Sequence, residues 1–390
     1  FLAAFAGGKS LYASVRQARE KLQAVESEFP CATWLPVICQ NPAEIPPTWQ
    51  DWCGKKAPQF RLPHRRELQT LLLSSLVVTG LISAGRWLGW MQPLELWAFD
   101  RLMQTRPVEP EDNRLLVVTI TDQDIQAEGE EMRRGSISDR TLEKVLATLE
   151  QSQPHVIGLD VYRDTPATDP ALAKRLQTSD RLITICKRPE PPTDPTGILP
   201  PPEVPPARIS FSDFVVDNDG TIRRQLLFLP PNASSRCTAP YSLAVQLAAR
   251  YLQAKGIAVQ FTAQQDLQLG DTVFERIHSR TGGYQNLDAR SGQILLNYRA
   301  TPSDNAFTKR SANGVAEQVT VAQVLSGQVN PKAIKDRIVL IGVAAPFSGG
   351  DYWTTPFGRS PADQVPGIVL HAQMVSQLLS ATLDQRPLLW

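Results

Sequence analysis

The sequence predicts an α/β fold: a mixed, largely parallel sheet with flanking helices, joined to one transmembrane helix. Three observations carry this reading. Apolar runs of strand length recur at LLVVTI (115–120), HVIGLDV (155–161), RLITIC (181–186) and RIVLIGV (337–343). Between the first two, Ser138 can cap a helix whose Leu142, Val145, Leu146 and Leu149 share a face. Finally, no charged residue occurs from Leu68 to Gly85. A chain of 390 residues has room for two domains, or for one large domain with attachments. Its net charge of +1 gives no reason to expect a nucleic-acid partner. Five cysteines without short paired spacings argue against a zinc site or a disulfide scaffold, and no cofactor is expected.

Taken in order, GGKSLYASVRQAREKLQAVESEF reads as a helix with Ser10 as its N-cap and Leu11, Val15, Ala18 and Leu22 at helical spacing. WLPVIC (34–39) has the length of a short buried strand. AAFAGGKS (3–10) matches a loosened phosphate-loop pattern, with Ala3 in place of the first glycine. No strand precedes it to aim freed amides at a phosphate, so it is not taken as a nucleotide site. Nothing pairs Cys31, Cys39 and His64 into a thiol enzyme. The chain opens on Phe and ends on LLW, so it reads as an excerpt of a longer protein.

Eighteen uncharged residues at 1.5 Å rise give about 27 Å, just short of a hydrocarbon core. Snorkelling by Arg86 and an interfacial Trp87 and Trp90 extend the predicted span to 68–90. A soluble core helix would carry a stronger polar stripe. A signal peptide would not follow more than sixty residues of structured-looking sequence. Lys55, Lys56, Arg61, Arg65 and Arg66 precede the span, whereas only Arg86 and Arg101 lie close behind it. The positive-inside rule therefore puts residues 1–67 in the cytoplasm and 91–386 in the periplasm or outside the cell, about an inner membrane whose lipid is one partner.

Beyond the span, strand, helix and strand imply a right-handed parallel crossover. Nine prolines in 189–206 make a long surface loop. ISFSDFVV and TIRRQLLFL flank DNDG, a hairpin signal. A helix at 241–255, a strand at 292–299, a helix at 320–327, the strand at 337–343 and a helix at 371–381 complete one domain.

Ligands of open α/β sheets sit beyond the carboxyl ends of parallel strands. LLVVTI runs into Asp122 and Asp124, HVIGLDV contains Asp160 and reaches Asp164, and RIVLIGV leads through a Gly-rich loop to Asp351. If those strands are neighbours, the acids converge on one rim suited to a cation or polar solute. The plainer alternative is that each carboxylate caps a loop or helix. His371 opens the last helix, on the face of Met374, Val375 and Leu378. A place in the first helical turn would lower its pKa, although a hydrogen-bonded core histidine is the plainer reading. Thr354, Thr355 and Pro356 are placed to line the same pocket. Cys186 and Cys237 are the two cysteines beyond the span, where an oxidising compartment permits a disulfide; the sequence does not say whether they meet. No Ser/His/Asp order, HExxH or His/Cys cluster is present, so no catalytic residue and no metal ligand is assigned. DVYRDT (160–165) spaces its aspartates four apart where phosphatase-like chemistry wants two, which keeps a membrane-anchored, metal-assisted hydrolase as the alternative.

FLAAFAGGKSLYASVRQARE followed by FPCATWLPVICQNP resembles the C-terminal end of a CHAT domain, a caspase-like module of bacterial multidomain proteins. That resemblance places the family's catalytic His and Cys upstream of Phe1, so this chain should have no peptidase activity. Most of 94–384 resembles a CHASE domain of the second type, an extracytoplasmic sensory module. The residues that carry it, in order, are PLELWAFDRLMQTRP, LLVVTITDQDI, HVIGLDVYRD, DGTIRRQLLFL, ILLNYRA, RIVLIGVAAPFSGGDYWTTPFG and VPGIVLHAQMVSQLLSA. Together the resemblances divide the chain into a CHAT tail (1–53), a basic linker (54–67), the span (68–90), the sensor (91–386) and the start of a second membrane segment (387–390). They imply a receptor, with a homodimer among its assemblies, that detects an unknown small molecule or environmental stimulus and signals to a caspase-like output.

Overall fold

The computed structural model describes the chain except for residues 40–42, 54–64, 130–132, 134, 191–193, 231, 233–234, 304–309 and 390. Lys55, Lys56 and Arg61 of the basic run, His64 and the last residue of the expected second membrane segment thus lie outside the described residues. The chain divides into two compact units, 1–81 and 82–390.

In the first unit, α1 (Leu2–Ala6) and α2 (Leu11–Gln23) follow one another, and Ser10 Oγ accepts the Ala13 N–H at 3.3 Å to cap α2. Phe5 is buried edge-on against Trp49 and Trp52 of α3 (Trp49–Cys53). WLPVIC does not form the expected strand. A 3-10 turn, Ala32–Trp34, takes in its first residue, and Leu35 and Val37 are 77% and 68% exposed. A short apolar segment with no partner strand gains no ladder bonds from extending.

Helix α4 runs over Arg65–Trp87, begins three residues before the expected span, and buries none of its apolar window. Among the described residues it is the one helix long and apolar enough to cross a membrane, with a mean hydropathy of 1.6. A turn through Gly89, at a positive φ of 79°, separates it from α5 (Gln92–Thr105), so Trp90 lies in the turn. Arg86 pairs with Glu95 of α5 at 2.9 Å.

The domain core then builds in order. Strand β1 (Leu115–Ile120) leads to α6 (Asp122–Glu128) and α7 (Asp139–Gln151), then to β2 (Val156–Asp160), α8 (Pro170–Thr178), β3 (Leu182–Cys186) and β4 (Ile209–Phe211). Next come β5 (Arg224–Phe228), α9 (Leu243–Gln253), a small antiparallel sheet of β6 (Val259–Phe261), β7 (Leu267–Leu269) and β8 (Thr272–Phe274), and β9 (Gly292–Leu295). The two-residue pair β10 (Thr301–Pro302) and β11 (Arg310–Ser311) precedes β12 (Glu317–Thr320), α10 (Val321–Leu325) and β13 (Ile338–Val343). Another short pair, β14 (Tyr352–Trp353) and β15 (Val365–Pro366), opens onto α11 (Gly367–Leu383).

Six strands form one sheet in the order β12-β1-β13-β2-β3-β4, parallel throughout. The antiparallel pairings lie in the small separate sheets. Alternation along the strands feeds two cores. Leu115, Val117, Ile183, Ile338 and Leu340 pack with α9 and α11, while Leu116, Val118, Ile157, Val339 and Ile341 pack with α7, α8 and α10. Gly342 lets α11 approach β13, since a Cβ there would come within 2.6 Å of Ile368 Cβ.

The expected hairpin at 217–220 is only partly present. Gly220 N–H donates to Asp217 O at 2.8 Å, but beyond one bridge, Val215 to Arg224, the flanks part. Ile209–Phe211 is buried on both faces and so joins the parallel sheet edge, and β5 pairs with β9 instead.

Two ionic clusters fasten the domain to its approaches. Arg223, just before β5 and wholly buried, grips Asp100 of α5 with two 2.7 Å hydrogen bonds and also reaches Asp217 and Asp219. Arg386, just past α11, clasps Glu109 at 2.6 and 2.7 Å and donates to the carbonyls of Asn297 and Tyr298.

Candidate functional site

A cavity of about 760 Å³ opens at the carboxyl ends of β13, β2, β3 and β4. Val343 and Asp160 end two of those strands, Lys187 and Arg188 follow the third, and Ser212, Asp213 and Phe214 follow the fourth. Helix α11 contributes His371, β5 contributes Leu226, the loop after β13 contributes Gly349 and Asp351, and β14 contributes Trp353. Because β13 lies between β1 and β2, the three acid-bearing strands are neighbours, which is what brings Asp160 and Asp351 to one space.

At the floor, His371 is 2% exposed and neither ring nitrogen has a hydrogen-bond partner. Its Nε2 stands 3.7 Å from Asp160 Oδ1, and its ring lies 4.7 Å from that of Phe214. Burial pulls the imidazole pKa down to about 3, so it is neutral. Helix α11 starts at Gly367, which puts His371 in the second turn; desolvation, not the helix terminus, is the cause. No described residue donates a hydrogen bond to the Asp160 carboxylate. Burial, reinforced by the Asp351 charge, pushes its pKa well above the usual carboxylate range. Burial likewise raises Asp213 to about 6, although its carboxylate accepts the Arg188 backbone N–H. Tyr162 and Ser212 share a 2.8 Å hydroxyl hydrogen bond, and burial shifts the Tyr162 phenol upward.

The other sequence-derived residues fall elsewhere. Asp122 accepts a 3.4 Å hydrogen bond from Phe347 N–H at the rim and does not line the cavity. Asp124 is committed to structure. It completes a capping box with Thr121 on α6, and its second oxygen accepts from Ala322 N–H at the start of α10. Thr355 is buried in a turn, where its hydroxyl accepts from Phe357 N–H, and neither it nor Thr354 reaches the cavity. Cys186 and Cys237 form a disulfide, with Cα atoms 5.5 Å apart, and so tie the end of β3 to the segment before α9. Among the described residues no group of three or more His, Cys, Asp or Glu is placed to hold a metal ion. Tyr162, Asp213, Phe214 and Trp353 were not singled out from sequence.

A parallel α/β domain thus follows a membrane-length helix and opens a cavity at its strand ends. Residues 76–390 match the CHASE2 domain, and the chain belongs to the CHASE2 family of extracytoplasmic sensory domains. The match begins inside α4, so the family's unit includes the second half of that helix. Neither the curated proteins nor the solved structures give a match to this chain.

Proposed function

We propose that this chain is a membrane-bound receptor module in which the strand-end cavity receives the stimulus and α5 carries the response to α4. The observation behind it is the cavity floor, where both ring nitrogens of buried His371 lack a hydrogen-bond partner and no described residue donates a hydrogen bond to the Asp160 carboxylate, an arrangement that a bound solute would complete. Strand β5 connects the cavity to the approach helix. Leu226 lines the cavity, and three residues earlier Arg223 holds Asp100 of α5. A ligand that draws β5 inward therefore pulls on the helix continuous in sequence with the span. In this reading residues 1–67 are cytoplasmic, the outer domain faces the periplasm or exterior, and the N-terminal unit is the tail of a caspase-like output.

The test uses the full chain in lipid nanodiscs, screened by thermal shift against small solutes beside Leu229→Trp, which narrows the cavity. Solutes that raise the wild-type melting temperature should lose that effect in the variant, since bound ligand stabilises only the form that binds it. The same solutes should alter amide exchange in 92–105 and be recovered unchanged. Stabilisation that survives Leu229→Trp, or that leaves α5 exchange untouched, rules the proposal out.

A further inference from the structure

We infer that the cavity selects a small organic cation: a protonated amine on a compact apolar or hydroxylated body. This deepens the proposal that the cavity is the receptor site, and the argument is a census of which polar groups there are already engaged. Lys187 Nζ is 3.3 Å from Asp194, outside the cavity, and 3.8 Å from Glu190, at its lining. Arg188 gives both terminal nitrogens of its guanidinium to the carbonyls of Pro230 and Ala239, at 2.7 and 3.1 Å, and leaves only its Nε unpartnered. The cavity's two full cations are thus turned to other partners. Of its carboxylates, Glu190 lies 3.8 Å from Lys187 and Asp213 accepts the Arg188 backbone N–H, whereas Asp160 and Asp351 meet no Lys or Arg side chain among the described residues. Among the described residues Asp160 has only the 3.7 Å approach of His371, and Asp351 accepts one side-chain hydrogen bond, 2.9 Å from the Trp353 indole. The two carboxylates act on each other repulsively, and no cation stands between them.

His371 is the second, independent pointer. It is almost completely enclosed, lines the cavity, and leaves both ring nitrogens unpartnered. Kept neutral by burial, it offers a hydrogen-bond acceptor to an ammonium and does not compete as a charge. Phe214 and Trp353, their rings 5.4 Å apart, supply aromatic faces that attract a cation. Val161, Leu226 and Val343 give the apolar wall for the body that carries it. An anion would meet two carboxylates and a neutral imidazole. A neutral polyol would leave the repulsion between the carboxylates in place.

Isothermal titration of the full chain in nanodiscs, at neutral pH, tests this with 1,4-diaminobutane and choline against 1,4-butanediol, succinate and calcium. The two ammonium probes should bind at least tenfold more tightly than butanediol, and succinate should not bind. Asp160→Asn and Asp351→Asn should each weaken ammonium binding tenfold or more with no loss of melting temperature, because each relieves a repulsion. Leu229→Trp, which changes no charge, should weaken it as well. Butanediol or succinate binding as tightly as the diamine overturns the cation class and leaves the receptor reading standing. Calcium that displaces the diamine makes the site a metal site. Silence from all five probes overturns the inference, and the solute screen above then decides the receptor reading separately.

Discussion

An imidazole held at a pKa of about 3 records a proton that the folded chain refuses. Unfolded, His371 would titrate near 6.5, so between those values the unfolded chain binds about one proton more. Stability contributed by this group is therefore lost as pH falls, by about 1.4 kcal/mol per pH unit across the window. Asp213 works in the opposite sense. Its folded pKa of about 6 exceeds the unfolded value of about 3.9, so its contribution is present at low pH and disappears as pH rises through 6. Urea midpoints measured from pH 3.5 to 7.5 should rise more gently with pH in His371→Gln and more steeply in Asp213→Asn; an unchanged slope in the first variant removes His371 from the account. Asp160, Asp351 and His371 were legible because acids that follow apolar strands, and a histidine on an apolar helix face, are visible without coordinates. Asp213 was hidden because Ile209–Phe211 is only three residues long and sits inside what reads as a hairpin. Asp124 had its own signal, Thr121 three residues before it, which marks a helix cap and not a ligand.

Helices with clear caps were readable almost to the residue. Ser138 caps α7 through the Thr141 N–H at 3.2 Å, and Ser242 caps α9 through Val245. Strand order was not readable. RIVLIGV is apolar on both faces and so must be central, but nothing local says that it inserts between β1 and β2. That insertion is decided by which helix faces can close over it, including the notch at Gly342. WLPVIC marks the limit of composition alone, since hydrophobicity without a partner strand gave an exposed segment. The contact of α5 with the residue that precedes β5 was equally invisible, because Asp100 and Arg223 are 123 residues apart in sequence. Asp100→Asn removes one carboxylate charge and leaves Arg223 its pairs with Asp217 and Asp219. We expect amide exchange across 92–105 to quicken while the core strands stay protected, because a local fastening has been loosened. Wild-type exchange rates in that helix would contradict the role given to this pair.

The molecule carries its own labels for topology. Cys31, Cys39 and Cys53 are free and exposed in the N-terminal unit, and Cys186 and Cys237 are consumed in a disulfide. If residues 1–67 are cytoplasmic, a membrane-impermeant maleimide should leave the chain unmodified in intact cells and modify it once the cells are opened. Modification before lysis reverses the orientation. The charge imbalance that led to this expectation was plain in the sequence; the pairing of the two outer cysteines was not, since it depends on where β3 ends relative to the loop before α9. The clasp of Arg386 on Glu109 has a further consequence for the domain as a unit. It joins positions 277 residues apart, just where the chain enters and leaves the domain core. Those two points meet whether or not anything outside holds them, so closing this long loop is part of the domain's own folding. A protein that accepted residues 109–386 between two adjacent helices would not have to bring distant ends together. The two ends of that loop leave the core side by side, one salt bridge apart.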